Sequence, residues 1–163
     1  MNIEAAVCRK PHTELQVTRC TLEEPKANEV LIKITACAVS PTDLLVMNGG
    51  DPEASFPMVP GHEAVGEVLK VGEQVTSVVP GNAVVPLVVP ECWECDECQS
   101  GRTNMCQALR DTQGRGVMPD GSSRLYHEQT PVKTCMGVSG FATHIVVPEI
   151  SVAKIPSGLP AAE

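Results

Sequence analysis

A β-rich α+β fold is what this sequence predicts, and three observations lead there. Apolar residues make up 42% of the chain while aromatic residues make up only 2%, so the core must be assembled from Val, Ile, Leu, Ala and Met. That β-branched mixture suits pleated sheets. Short apolar runs bounded by Pro, Gly, Asn and Asp recur along the chain, which is the pattern of strands joined by turns. With 163 residues, the chain is long enough for one domain with its own core.

Taken in order, residues 3–8, 15–20 and 29–36 read as strands, separated by Pro11-His12-Thr13 and by the turn-forming stretch from Glu24 to Asn28. In the third, Leu31, Lys33 and Thr35 alternate with Val30, Ile32, Ile34 and Ala36, and Leu31 interrupts the polar face, so a half-buried strand is expected. Ser40 and Pro41 suit a helix start and Asn48-Gly49-Gly50 suits its end, predicting a one- or two-turn helix over Pro41–Met47. Further strands are expected over residues 64–71, 83–89, 141–147 and 151–155. Residues 156–163 read as a linker. Residues 91–121 show no sustained periodicity and would make an improbably long bare loop, so something other than an apolar core must order them.

A formal net charge of −8 argues against a nucleic-acid surface, because phosphate binding draws on clustered Lys and Arg that this sequence nowhere supplies. The first ten residues hold no apolar stretch of signal-peptide length, and no apolar run is long enough to span a bilayer. A cytoplasmic protein without membrane or nucleic-acid partners is the expectation.

Eight cysteines in a cytosolic chain call for a reason other than disulfides, since that compartment keeps thiols reduced. Cys8, Cys20, Cys37 and Cys135 are scattered among apolar neighbours and read as small buried hydrophobes. The other four form one cluster, Cys92-x-x-Cys95-x-x-Cys98 followed after seven residues by Cys106. Four thiolates so close can close the tetrahedral sulfur cage that zinc prefers in structural sites, and the ion would order the unpatterned stretch. An iron–sulfur cluster is the rival, but the bacterial ferredoxin run has three residues before its fourth cysteine and a proline after it. Metal-free thiols or a disulfide are the remaining alternative.

Gly61-His62-Glu63 stands at the entry to a strand, and Ser40-Pro41-Thr42-Asp43 opens a short helix about 20 residues earlier. A lone histidine before a strand is more often structural than a ligand. The order of Thr-Asp helix start, Pro60-Gly61-His62-Glu63-Ala64-Val65-Gly66, Pro80-Gly81 turn and four-cysteine lobe, however, resembles the zinc-containing medium-chain alcohol dehydrogenases. So do the segments from Met118 to Arg124, from Phe141 to Val147 and from Ile150 to Ile155, and together they look most like the class acting on primary, aryl or glutathione-linked alcohols.

The resemblance implies a GroES-like β-barrel catalytic domain with an inserted structural-zinc lobe, followed by a Rossmann domain that binds NAD(P). It also implies hydride transfer between a small alcohol or aldehyde and nicotinamide. In the family a catalytic zinc with an open position stabilises the alkoxide. Carried over by position, His62 resembles an imidazole ligand of that zinc, Glu63 the neighbouring carboxylate, Asp43 the acid that orients the His62 ring, and Thr42 the hydroxyl that relays the substrate proton.

Ser40 departs from this pattern, standing where the family places a ligand cysteine, and a neutral hydroxyl is a much poorer zinc donor. Leu45 and Pro41 also replace residues often imidazole or basic in the family. Cys37 is a poor substitute ligand, since a strand would aim it at the opposite pleat face. No Gly-x-Gly-x-x-Gly motif is present, because Pro119 stands where the glycine after Gly114 and Gly116 belongs. The expectation is thus a catalytic domain over residues 1–155 without its nucleotide-binding half, inactive alone and monomeric or weakly self-associating. The alternatives are a non-enzymatic zinc-binding module of the same fold and a zinc-free reductase, the latter opposed by the retained four-cysteine lobe.

Overall fold

Alternation builds the first element of the fold. Ile3, Ala5 and Val7 point inward along β1 (Asn2–Val7) while their neighbours face outward, the period of a strand with one buried face. β1 pairs antiparallel with β2 (Gln16–Leu22). The computed structural model that shows this describes residues 1–88 and 91–156, and of residues 108 and 109 the backbone alone.

The remaining strands are β3 (Glu29–Ala38), β4 (Met58–Val59), β5 (Glu63–Val71), β6 (Ala83–Pro86), β7 (Leu125–His127), β8 (Thr130–Thr134), β9 (His144–Pro148) and β10 (Val152–Lys154). They form two five-stranded sheets, ordered β1-β2-β7-β8-β4 and β10-β6-β5-β3-β9. Among the described residues only the β4–β8 pairing is parallel. A bridge between Ala5 and Ala142 stitches the sheets together, and they curl round one core in an open half-barrel. Among the described residues there is no parallel Rossmann-type sheet.

The expected strands appear with shifted ends, and residue 89 of the expected 83–89 strand lies outside the described residues, as does all but the first residue of the expected linker. The third strand is less regular than its alternation suggests. Val30, Leu31 and Ile32 are all buried, in a strand flanked on both sides by β5 and β9, and the burial stops at Lys33. Its register against β5 slips at two bulges, one of them between Ile34 and Ala36. Gly66 faces Ile34 there, and a Cβ at that position would collide with the Lys33 carbonyl oxygen. The close strand approach therefore requires glycine.

Two features differ from the sequence reading. Residues 91–121 contain α2 (Asp96–Gln99), a 3-10 turn at Thr103–Met105 and α3 (Gln107–Gln113). The β7–β8 hairpin was not expected at all, and it turns on Glu128 and Gln129, both with positive φ. The predicted helix does form as α1 (Pro41–Met47), with Ser40 as its N-cap and Pro41 at its first position.

Three of the scattered cysteines are indeed buried apolar residues. Cys20 lies in the main core, while Cys8 and Cys135 join Val46 and Met58 in a smaller cluster. Among the described residues no helix is long and apolar enough to cross a membrane.

Candidate functional site

The sulfur atoms of Cys92, Cys95, Cys98 and Cys106 converge, all lying within 4.8 Å of one another. Two of the separations, Cys92 to Cys98 and Cys95 to Cys106, are 3.9 Å. A tetrahedron with zinc–sulfur bonds of about 2.3 Å has edges of about 3.8 Å, so the four thiols already stand at the spacing one zinc requires. No S–S bond joins them.

Backbone donors surround the sulfurs: the N–H groups of Glu94 and Cys95 both donate to Cys92 Sγ, at 3.4 and 3.3 Å. Such donors favour thiolate. The backbone N–H of Cys98 brings the Cys95 thiol down to about 6, while burial pushes the Cys98 thiol up to about 12. A divalent cation held by Cys92, Cys95, Cys98 and Cys106 would take the place of the protons. The four-cysteine cluster matches a structural zinc site.

At the other constellation, β5 and α1 bring Asp43 against His62. The Asp43 carboxylate is 1% exposed, and its Oδ1 accepts the Gly61 N–H at 3.1 Å and lies 3.2 Å from His62 Nδ1. A carboxylate accepts, so this contact places the Nδ1 proton toward Asp43 and turns Nε2 the other way. Glu63 Oε1 stands 3.7 Å from that Nε2. Gly61 holds φ at 93°, and a Cβ there would meet the Phe141 ring and backbone, so the tight entry to β5 depends on glycine.

Ser40 is committed elsewhere. Its Oγ accepts the Thr42 N–H at 3.1 Å, and its own N–H donates to Asp43 Oδ2 at 2.9 Å. Thr42 is half-buried in the same turn. Cys37 packs its sulfur against Gly61 and Gly140 and makes a long contact of 3.6 Å with the Ala38 carbonyl. The cysteine cage is the sole cluster of three or more ligating side chains among the described residues. A serine hydroxyl spent as a helix cap beside one imidazole does not fit a catalytic zinc.

A cleft of about 230 Å³ opens between α3 and the segment after α1. Its apolar side is formed by Val46, Met58, Val88, Cys135 and Met136, and Asp51, Glu53, Asn104 and Arg110 bring charge and polarity to it. Arg110 Nη2 stands 3.3 Å from Glu53 Oε1. Burial pushes the Cys135 thiol up to about 12, with Asp43 and Asp51 adding to the effect, so it serves as a neutral apolar surface. The polar residues of the cleft were not marked by sequence reasoning, since Asp51, Glu53 and Arg110 lie in unpatterned stretches, with 57 residues between the partners of the ion pair.

The fold and the cage together define a class of protein. The family model of the alcohol dehydrogenase GroES-like domain matches residues 26–157, and the chain belongs to that family. It is 48% identical over 155 residues to an S-(hydroxymethyl)glutathione dehydrogenase of Escherichia coli O1:K1 / APEC, a match covering 95% of this chain and 42% of that protein. Among solved structures, an alcohol dehydrogenase zinc-binding domain protein from Burkholderia ambifaria superposes with a TM-score of 0.90 at 27% identity, over 99% of this chain and 44% of its own. Benzyl alcohol dehydrogenase from Acinetobacter calcoaceticus gives 0.88 at 26% identity, over 99% and 43%. The chain thus spans less than half the length of these relatives.

Proposed function

We propose that residues 1–155 are the catalytic-domain portion of a zinc- and NAD(P)-dependent alcohol dehydrogenase, and that residues 156–163 begin the linker to its nucleotide-binding part. Hydride transfer needs nicotinamide held against the substrate carbon. That task falls to the part of the relatives that this chain does not span, so these residues alone do not turn over. The observation that carries the reading is the buried Asp43 carboxylate, which binds the Gly61 N–H and orients the His62 ring.

In this reading His62 and Glu63 face the reacting group, Thr42 relays its proton and Asp43 holds the imidazole. Ser40 leaves the catalytic metal position incomplete. Val39, Leu44 and Leu45, 75%, 57% and 54% exposed beside Ser40, form the face that the cofactor part would cover; uncovered, it favours a monomer with weak self-association.

The cleft supports a substrate class. The curated relative named above is a dehydrogenase of S-(hydroxymethyl)glutathione, a tripeptide adduct with an ammonium group and two carboxylates. Asp51 and Glu53 suit the ammonium and Arg110 suits a carboxylate, with the apolar side of the cleft left for the methylene groups.

A second reading, a non-enzymatic zinc-binding module of GroES-like fold, is favoured by the capping role of Ser40. The two separate in a longer chain that carries the nucleotide-binding part. Ser40→Cys there should raise substrate-dependent NAD reduction with S-(hydroxymethyl)glutathione, and no rise would leave the module reading standing.

A further inference from the structure

Cys106 belongs to two places at once. Its sulfur is one of the four in the cage, and its side chain also lines the cleft. α3 follows directly, with Cys106 as its N-cap residue and the Arg110 N–H reaching back to the Cys106 carbonyl. Arg110 and Gln113 are three residues apart on this helix, the spacing that puts two side chains on one side, and both line the cleft.

Gln113 ends the helix and anchors it. Its Nε2 donates to the carbonyl of Val88 and, at 2.7 Å, to that of Met136. An amide nitrogen carries two hydrogens, so both are used. Val88 belongs to the chain leaving β6 toward the cage, and Met136 to the loop after β8, so one side chain ties three walls of the cleft together. Met136 holds φ at 51°, a left-handed conformation costly for a non-glycine residue, and the bond to its carbonyl helps to keep it there. Gly137 lies so close that a Cβ would come 3.1 Å from Gln113 Nε2.

α3 is therefore held at both ends, by the cage at Cys106 and by the amide at Gln113, with Arg110 between. We propose that Gln113 is a positioning residue that couples the four-cysteine lobe to the cleft, fixing where Arg110 stands and hence how tightly the cleft holds an anionic ligand. This rests on the reading of the cleft as a substrate site. The metal lobe then does more than order itself, because it supplies one of the two fixed ends of the helix that carries the recognising guanidinium.

The test uses the full zinc-loaded chain and two probes, S-methylglutathione and its dimethyl ester, which lacks free carboxylates. Binding is measured by calorimetry to wild type, Gln113→Leu and the similarly sized, uncharged Gln113→Met, with zinc content recorded for each. Both variants should keep one zinc per chain and bind the acid about tenfold more weakly than wild type, the scale of one displaced charge-assisted contact. Their affinity for the ester should stay unchanged.

An equal loss for both probes would make Gln113 a general packing residue and overturn the proposal. So would no loss for either, or a fall in zinc content, which would place Gln113 with the cage itself. If wild type binds neither probe, the reading of the cleft is wrong and this inference falls with it.

Discussion

Ser40 and Asp43 close a reciprocal capping box over the first turn of α1, the Asp43 carboxylate accepting the Ser40 N–H at 2.9 Å while the Ser40 side chain caps the turn. The Ser40 hydroxyl thus has a structural duty. Ser40→Ala should cost about 1 kcal/mol of stability, the usual worth of a serine N-cap. Urea unfolding checks this, and an unchanged midpoint would show that the cap contributes nothing.

A buried ion pair joins the start of β3 in one sheet to the residue that precedes β7 in the other. Arg124 donates from Nε to Glu29 Oε2 at 2.8 Å and from Nη2 to Oε1 at 2.6 Å, and the residues are 2% and 7% exposed. Glu29→Leu leaves the buried guanidinium with Asp120, at 2.9 Å, as its remaining close carboxylate, so it should destabilise by about 2 kcal/mol, the worth of hydrogen bonds to a charged group, while the double variant with Arg124→Met should cost less than the sum of the two single changes. A double-mutant cycle in urea measures it; additive effects would contradict the coupling.

Asp120 gives the fold an acid-sensitive point. Burial alone would raise its pKa, but hydrogen bonds from Lys26, Ser122 and Arg124 outweigh that and hold the carboxyl well below its ordinary value of 3.8. A carboxylate depressed in the folded state adds stability that is complete above its unfolded pKa and drains away as pH falls below it. Asp120→Asn should therefore lower the urea midpoint at pH 7 and flatten its decline between about pH 4 and pH 2. An unaltered acid limb would exclude Asp120 as a contributor.

The β7–β8 turn carries Glu128 and Gln129 at φ of 48° and 69°, conformations that favour Asn and Gly in two-residue hairpins. Replacing the pair with Asn-Gly should stabilise the chain by about 0.5–1 kcal/mol. Thermal melts read this directly, and a lower midpoint would mean that the native side chains make contacts worth more than the backbone relief.

These elements show what could be read in advance. Ser40-Pro41 and Asn48-Gly49 mark both ends of α1, and the apolar runs of β3 and β5 are plain in the sequence. The β7–β8 hairpin was illegible because its tip has neither Gly nor Asn and its second strand contains Pro131. α3 escaped because two turns of QALRDTQ carry no apolar stripe, and Cys106 and Gln113 fix its ends through contacts distant in the chain. The cysteine cage was legible from spacing alone. Convergence of Asp43 with His62 was no more than a possibility from their placement at a helix start and a strand entry, since the bulged register of β3 and β5 is not encoded in periodicity. Glu29 at the head of an apolar run was the one available hint of a buried partner, yet nothing local points 95 residues ahead to Arg124.

Metal stoichiometry is the decisive measurement for the cysteine cage. Purified chain, freed of loosely bound ions and analysed for metal, should hold close to one zinc per molecule, colourless and lost together with the folded signature of residues 91–113 when a strong chelator is added. Finding no zinc would contradict the structural cage, and finding two would contradict the reading of Ser40 as a helix cap in place of a ligand.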